Sequence, residues 1–338
     1  MVIEANKFNF DVFLDCQPEA PVTVIERLGK NIRDGKYDLV TGIGGGSTMD
    51  TVKIASIIAH SDLKVLDLLS GKQVEKVVRK ILIPTTAGTG SEWSNVAVVT
   101  DDITHNPGRT TVIITPQNLA NAAIIDPELT YNLPQRITAD TGMDALTHAI
   151  EAYTSPAGNV MSEMFAETAI KLISKNLRAV FANGRQNINA RHNMSIAAAF
   201  AMHAVVLSSV GLAHFMNEPL GKKARLSHGA TCTLLLPEVM EFNMAANAAK
   251  YARIAEIMGE NITGLTVSAA AAKSVVAVRI LANDLEMPTQ AKEAITDKAI
   301  EDMVEELFEM EGPAIKLFSS QELNKAEAGR IYHQILRG

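Results

Sequence analysis

Cysteine is scarce: Cys16 and Cys232 are the only two in a chain of 338 residues. That excludes a disulfide framework and a thiolate metal cage, and it fits the reducing cytoplasm. Positive charge is also short. Thirty-one Lys and Arg face 38 Asp and Glu, for a net charge of −7 with no basic cluster, so nucleic acid is not an expected partner. The opening MVIEANKFNF has no basic segment followed by an apolar one, so no signal peptide is expected. Long hydrophobic runs are nearly absent. The exception, SIAAAFAMHAVVLSSVGLA (195–213), carries His203 and several serines and leads straight into His214. A helix apolar all round is what the centre of a large helical domain needs, so the expectation is a buried helix and no membrane.

What remains is ordinary globular material, 47% hydrophobic and 20% charged, long enough for two domains. Residues 1–133 alternate short β-rich runs with helical patterns. The candidate strands are FNFDVFLD (8–15), DLVTGIG (38–44), KILIPTT (80–86), VAVVTDD (96–102), TTVIITP (110–116) and NAAIIDP (121–127), and VTVIERLGKNIRDGK and MDTVKIASIIAH read as helices. This alternation predicts an α/β domain with a largely parallel sheet. From Pro134 to residue 338 the periods are helical, as in AETAIKLISKNL and EAITDKAIEDMVEELFEM, which predicts an all-α second domain. With no repeat and no low-complexity linker, the halves are expected to meet at a ligand cleft.

Two glycine-rich stretches follow strands. TGIGGGSTMD (41–50) opens a helical run, where bare amides and the helix dipole suit a pyrophosphate. Ser47 replaces the third glycine of the dinucleotide fingerprint, so a plain turn stays open; Asp67 is a weak candidate for a ribose contact. PTTAGTGSE (84–92) offers hydroxyls and amides to an anionic ligand, or else a turn capped by Thr89 or Ser91. Two such loops at strand ends favour a shared nucleotide site.

GMDALTHAIEAY (142–153) sets Asp144 and His148 four residues apart in an apolar helical run, on one face. The pair reads either as a hydrogen-bonded core histidine or as half of a metal site. Of eight histidines, His148, His214 in VGLAHFMNEPLG and His228 in LSHGATC flank glycine-containing segments of the helical half. His60, His105, His192, His203 and His333 read as structural or solvated. His214 and His228 are separated by a Gly/Pro interruption, so a bend could aim both at one point.

Together FDVFLD, GGGSTMD, PTTAGTGSE, AIIDPELTYNLP, GMDALTHAIEAY, GLAHFMNEPLG and SHG resemble the iron-containing (group III) alcohol dehydrogenases across essentially the whole chain. The resemblance implies a dehydroquinate-synthase-like fold, an α/β nucleotide-binding domain followed by an all-α metal-binding domain. It implies that Asp144, His148, His214 and His228 hold one divalent metal, and that Gly45, Gly46, Ser47 and Asp50 with Thr85, Thr86, Thr89 and Ser91 bind NAD or NADP. One carboxylate and three imidazoles suit Fe(II), and also Zn(II), Co(II) or Mn(II). The implied reaction interconverts a small primary alcohol and its aldehyde in a cytoplasmic homo-oligomer. Where the family usually has another histidine, four residues after the third ligand, this chain has Glu218, which the resemblance places at the substrate rim. Arg109, Thr110 and Thr111 stand where a lysine is common. An opening strand and helix, roughly the first fifty residues of the family pattern, are missing; the expected consequences are an exposed sheet edge and weakened dinucleotide binding. A glycerol-dehydrogenase or dehydroquinate-synthase type enzyme, a pseudoenzyme and a metal hydrolase are the rival readings.

Overall fold

A computed structural model describes residues 9–104, 109–291 and 295–337. His105 lies outside them. The chain divides into two compact units: Met1–Ile83 with Asn95–Ala123, and Pro84–Ser94 with Ile124–Gly338. The division differs from a cut at residue 133, because segment 84–94 and residues 124–133 go with the second unit.

In the first unit, helix α1 (Val22–Asp34) buries Val22, Val24, Ile25, Leu28 and Ile32 on one face. Helix α2 (Gly46–Ile58) packs against it closely, and a Cβ on Gly29 would come within 2.8 Å of Ile58. Strands β1 (Leu39–Gly44), β2 (Arg79–Pro84) and β5 (Ala122–Ala123) form one sheet in the order β1-β2-β5, with β2 and β5 parallel. The expected parallel pairing holds between β2 and β5, while two of the candidate strands stand in a separate sheet. β3 (Val96–Asp101) and β4 (Arg109–Ile114) pair with each other, antiparallel, from Val96 opposite Ile114 to Asp101 opposite Arg109. Residues 102–108 are too few for the helical crossover that parallel pairing demands. FNFDVFLD is likewise not a strand over its described residues 9–15.

The second unit contains no strand among the described residues. Its helices are α3 (Gln135–Thr154), α4 (Val160–Asn183), α5 (Ile188–Val206), α6 (Leu212–Phe215), α7 (Asn217–Ala224), α8 (His228–Ile257), α9 (Val267–Asp284), α10 (Asp297–Phe318) and α11 (Lys325–Arg337). Helix α3 is buried along its last four turns, from Gly142 through Thr154. Gly142 lets α4 approach, since a Cβ there would lie 2.3 Å from Leu177. The apolar run 195–213 is helical to Val206 and lies in the core through Ala197, Ala198, Ala201 and Ala204, as expected. Among the described residues, no helix is long and apolar enough to cross a membrane.

Candidate metal centre

Three segments of the second unit converge on Asp144. Helix α3 carries Asp144, His148 and Glu151 at i, i+4 and i+7, along one face of the helix. Short α6 carries His214. The chain then turns through Arg225, in the left-handed region at φ 48°, and re-enters a helix at His228. Ser227 caps α8 by accepting from the Ala230 N–H, and its own hydroxyl donates to Asp140 of α3 at 2.8 Å. Gly229 makes that junction possible. A Cβ there would lie 2.0 Å from the Asp140 carbonyl oxygen, so only glycine lets α8 start against α3.

His228 Nε2 lies 3.4 Å, His214 Nε2 3.5 Å and His148 Nδ1 3.8 Å from Asp144 Oδ1. The rings of His148 and His214 stack with centroids 4.3 Å apart. Three buried polar atoms here have no hydrogen-bond partner: Asp144 Oδ1, His148 Nδ1 and His214 Nε2. Buried polar groups are normally satisfied, and ones facing a common point are those a cation would satisfy. The donor set therefore fits a divalent ion. His148 flanks the tightest grouping, in which Asp144, His214, His228 and Cys232 each offer an atom within 4.8 Å of the other three. Two cysteines cannot build a thiolate cage, yet one of them stands at this site.

The electrostatics suit a cation. Burial opposes ionisation of Asp144, but the imidazoles of His148, His214 and His228 outweigh it and hold the carboxyl well below its usual range. Burial pushes His148 down to about 3, so its ring is neutral, the ligating form. Burial also opposes protonation of His214, yet Cys232 and Glu151 lift it well above its usual value; an arriving ion would displace that proton.

Glu151 is the residue that reading by motif misses. Its carboxylate, 5% exposed, accepts from the Gly211 N–H at 2.9 Å, the Ala213 N–H at 2.6 Å and His214 Nδ1 at 2.6 Å. A proton held on Nδ1 leaves Nε2 with its lone pair toward Asp144, the arrangement of a carboxylate behind a metal-binding histidine. The i+7 spacing from Asp144 is the signal that could have found it.

The other sequence-predicted residues lie as follows. Gly45 caps α2 in an extended conformation, with Gly46 as the first helical residue. The Ser47 hydroxyl accepts from the Glu19 N–H at 3.0 Å. Asp50 is 7% exposed; it accepts from the Val98 N–H at 3.0 Å and pairs with Lys53 at 3.4 Å, so its carboxylate ties α2 to β3. The weak candidate Asp67 accepts from the Lys64 N–H and pairs with Lys72. Thr85, Thr86, Thr89 and Ser91 lie on segment 84–94, in the other unit from the first loop. Thr89 Oγ1 accepts from the Ser91 N–H at 3.3 Å. There, a Cβ on Gly88 would lie 2.5 Å from Thr141, and Gly90, at φ 59°, approaches Met202. Glu218 pairs with Lys222 at 2.7 Å. Of the histidines set aside, His192 meets the Tyr131 hydroxyl at 3.2 Å, and His203 packs edge-on against Trp93 and Phe165.

Comparison with known proteins identifies the family. The model of the iron-containing alcohol dehydrogenase family matches residues 2–127, and that of the C-terminal region of the Fe-containing alcohol dehydrogenase family matches 138–335. Long-chain-alcohol dehydrogenase 1 of Geobacillus thermodenitrificans is 36% identical over 304 residues, which is 88% of this chain and 75% of that protein. NAD-dependent methanol dehydrogenase of Bacillus methanolicus is 35% identical over 88% of this chain and 78% of its own. The crystal structure of sulfoacetaldehyde reductase from Bifidobacterium kashiwanohense in complex with NAD+ superimposes with a TM-score of 0.88 at 30% identity, covering 99% of this chain and 86% of that one. With both family models matched in sequence order and the three predicted histidines drawn around Asp144, the chain belongs to the iron-containing alcohol dehydrogenase family.

Proposed function

We propose that the metal-dependent, NAD-linked alcohol–aldehyde chemistry of this family is carried out here at an ion held by Asp144, His148, His214 and His228, on a small primary alcohol. The observation that carries the assignment is the group of unpartnered buried atoms, Asp144 Oδ1, His148 Nδ1 and His214 Nε2. When bound, a divalent ion polarises the alcohol or aldehyde oxygen, and the nicotinamide takes or supplies the hydride. Asp144 contributes the negative charge that offsets the ion, while neutral His148 contributes a lone pair without adding charge. Glu151 holds His214 in the tautomer that points Nε2 inward. Fe(II) is the proposed native ion, with Zn(II) the alternative.

For the nucleotide we propose Gly45, Gly46, Ser47 and Asp50 with Thr85, Thr86, Thr89 and Ser91, binding NAD or NADP. The free N–H groups at the start of α2 suit the pyrophosphate. Asp50, bonded to the Val98 N–H and paired with Lys53, holds the start of α2 in place for that site. At the substrate rim we propose Glu218, which follows Asn217, a residue hydrogen-bonded to His228. A carboxylate there disfavours anionic substrates. The protein is read as a cytoplasmic homo-oligomer of two or more copies with no nucleic-acid partner.

Elemental analysis of the purified protein, with NADH and NADPH oxidation against propionaldehyde and sulfoacetaldehyde, tests these proposals together. One ion per chain and turnover of the neutral aldehyde are expected. His214→Ala and His228→Ala should each lose the ion while staying folded, because the apolar helices carry the core. Full metal and full turnover in either variant would overturn that residue's assignment, and a preference for sulfoacetaldehyde would overturn the role given to Glu218.

A further inference from the structure

We propose that Cys232 is an additional metal ligand, so that the ion sits in a mixed carboxylate, imidazole and thiolate environment. The inference rests on the metal-site reading above and extends it. Cys232 lies one helical turn after His228 on α8, and its side chain is fully buried. Its Sγ stands 3.7 Å from His228 Nε2, beside distances of 3.4 Å and 3.5 Å from Asp144 Oδ1 to His228 Nε2 and His214 Nε2. Ligands at about 2.0–2.3 Å from a shared ion in tetrahedral array are separated by about 3.3–3.8 Å. These three separations fall in that range and the others among the four residues are within 4.8 Å, so one ion can be shared by all four with side-chain adjustment alone.

Two further observations point the same way. Asp144 Oδ1 and His214 Nε2, the atoms the ion would share with Sγ, are buried and have no hydrogen-bond partner. Asn217, itself 4% exposed, donates through Nδ2 both to Sγ at 3.0 Å and to the His228 carbonyl at 2.9 Å. An amide aimed at sulfur fixes the side chain and stabilises a thiolate, as outer-shell partners do at metal sites. On binding, the S–H bond is exchanged for a sulfur–metal bond, the proton passes to buffer, and no oxidant or reductant is involved. Thiolate is a soft donor, so the site is biased toward Zn(II), Co(II) and Fe(II) over Mn(II).

The test is anaerobic loading of the metal-free protein with Co(II), read by absorption and by competition against a chromophoric chelator. Wild type should take up one Co(II) per chain and show a near-ultraviolet sulfur-to-cobalt charge-transfer band. Cys232→Ala and the near-isosteric Cys232→Ser should still bind Co(II), lacking that band, with Zn(II) affinity at least about tenfold weaker, the lower end of the loss seen when a metal site's supporting group is removed. Stoichiometric Co(II) binding without the band in wild type would overturn the ligand role of Cys232 and leave the site reading intact. Equal Zn(II) affinity in all three proteins would do the same. No Co(II) binding by folded wild type would overturn both.

Discussion

Replacing Glu151 separates two things its carboxylate does. It collects the Gly211 and Ala213 N–H groups and His214 Nδ1 at 2.6–2.9 Å, in a place where water cannot substitute, since the residue is 5% exposed. Glu151→Ala strands three donors. At about 1–3 kcal/mol for each unsatisfied group, the loss is about 3–9 kcal/mol, a large share of a typical folding free energy. By calorimetry of the metal-free protein, the melting temperature should fall by about 4 °C or more. Glu151→Gln keeps the shape but turns charge-assisted bonds into neutral ones and sets an N–H₂ group against a donor. Its cost in the metal-free protein should be about 1.5–3 kcal/mol, whereas Zn(II) affinity should fall about 10- to 100-fold because His214 is no longer held in one tautomer. If Glu151→Gln binds Zn(II) within about threefold of wild type and melts within about 1 °C of it, the carboxylate neither staples the 211–213 segment nor orients His214.

Chelation should destabilise the holoprotein by about 4 kcal/mol where the ion was present at a thousand times its dissociation constant, and re-added metal should restore it; an unchanged melting curve would mean that no ion had been bound. Gly229→Ala should cost about 3 kcal/mol or more and displace His228, because its Cβ would lie 2.0 Å from the Asp140 carbonyl, whereas Gly312→Ala, with nothing near its Cβ, should gain about 0.5–1 kcal/mol; equal melting shifts would refute the contrast. Burial, helped by the charge of Lys53, brings Lys80 down from 10.5 to about 8. The unfolded lysine keeps its proton to the higher value, so stability falls as pH drops through that window, by about 3 kcal/mol in all. Urea titrations across it should show a slope in wild type that Lys80→Met lacks, and identical slopes would refute the assignment.

The parts of the fold visible in the chain are those with a local cause. Helix α3, the buried α5 and the change from β-rich to helical periods follow from periodicity, and Gly45 and Gly46 mark a strand-to-helix turn. Histidines flanking glycines point to the site because the close approaches there demand those glycines, as Gly229 shows. The β3–β4 pairing was hidden because its strands look like buried parallel ones, and only the short 102–108 connection betrays them. Glu151 and Cys232 were hidden for another reason. Glu151 stands at i+7 from Asp144 and Cys232 at i+4 from His228, but the groups that give each its role, the 211–214 segment for Glu151 and Asp144 with His214 for Cys232, are remote in sequence.

Segment Pro84–Ser94 has a consequence for biosynthesis. The chain leaves the first unit after Ile83, contributes eleven residues to the second, and returns at Asn95. Those residues pack where Gly88 meets Thr141 and Gly90 meets Met202, partners that emerge from the ribosome only after the whole first unit has been made. The first unit can therefore be fully synthesised while one of its loops still lacks its partners. Its β2 strand is tethered to a loop that stays unhoused until α3 and α5 exist. A nascent chain arrested with its first unit outside the ribosome, α3 still inside it and α5 unmade should display a protease-sensitive site within 84–94.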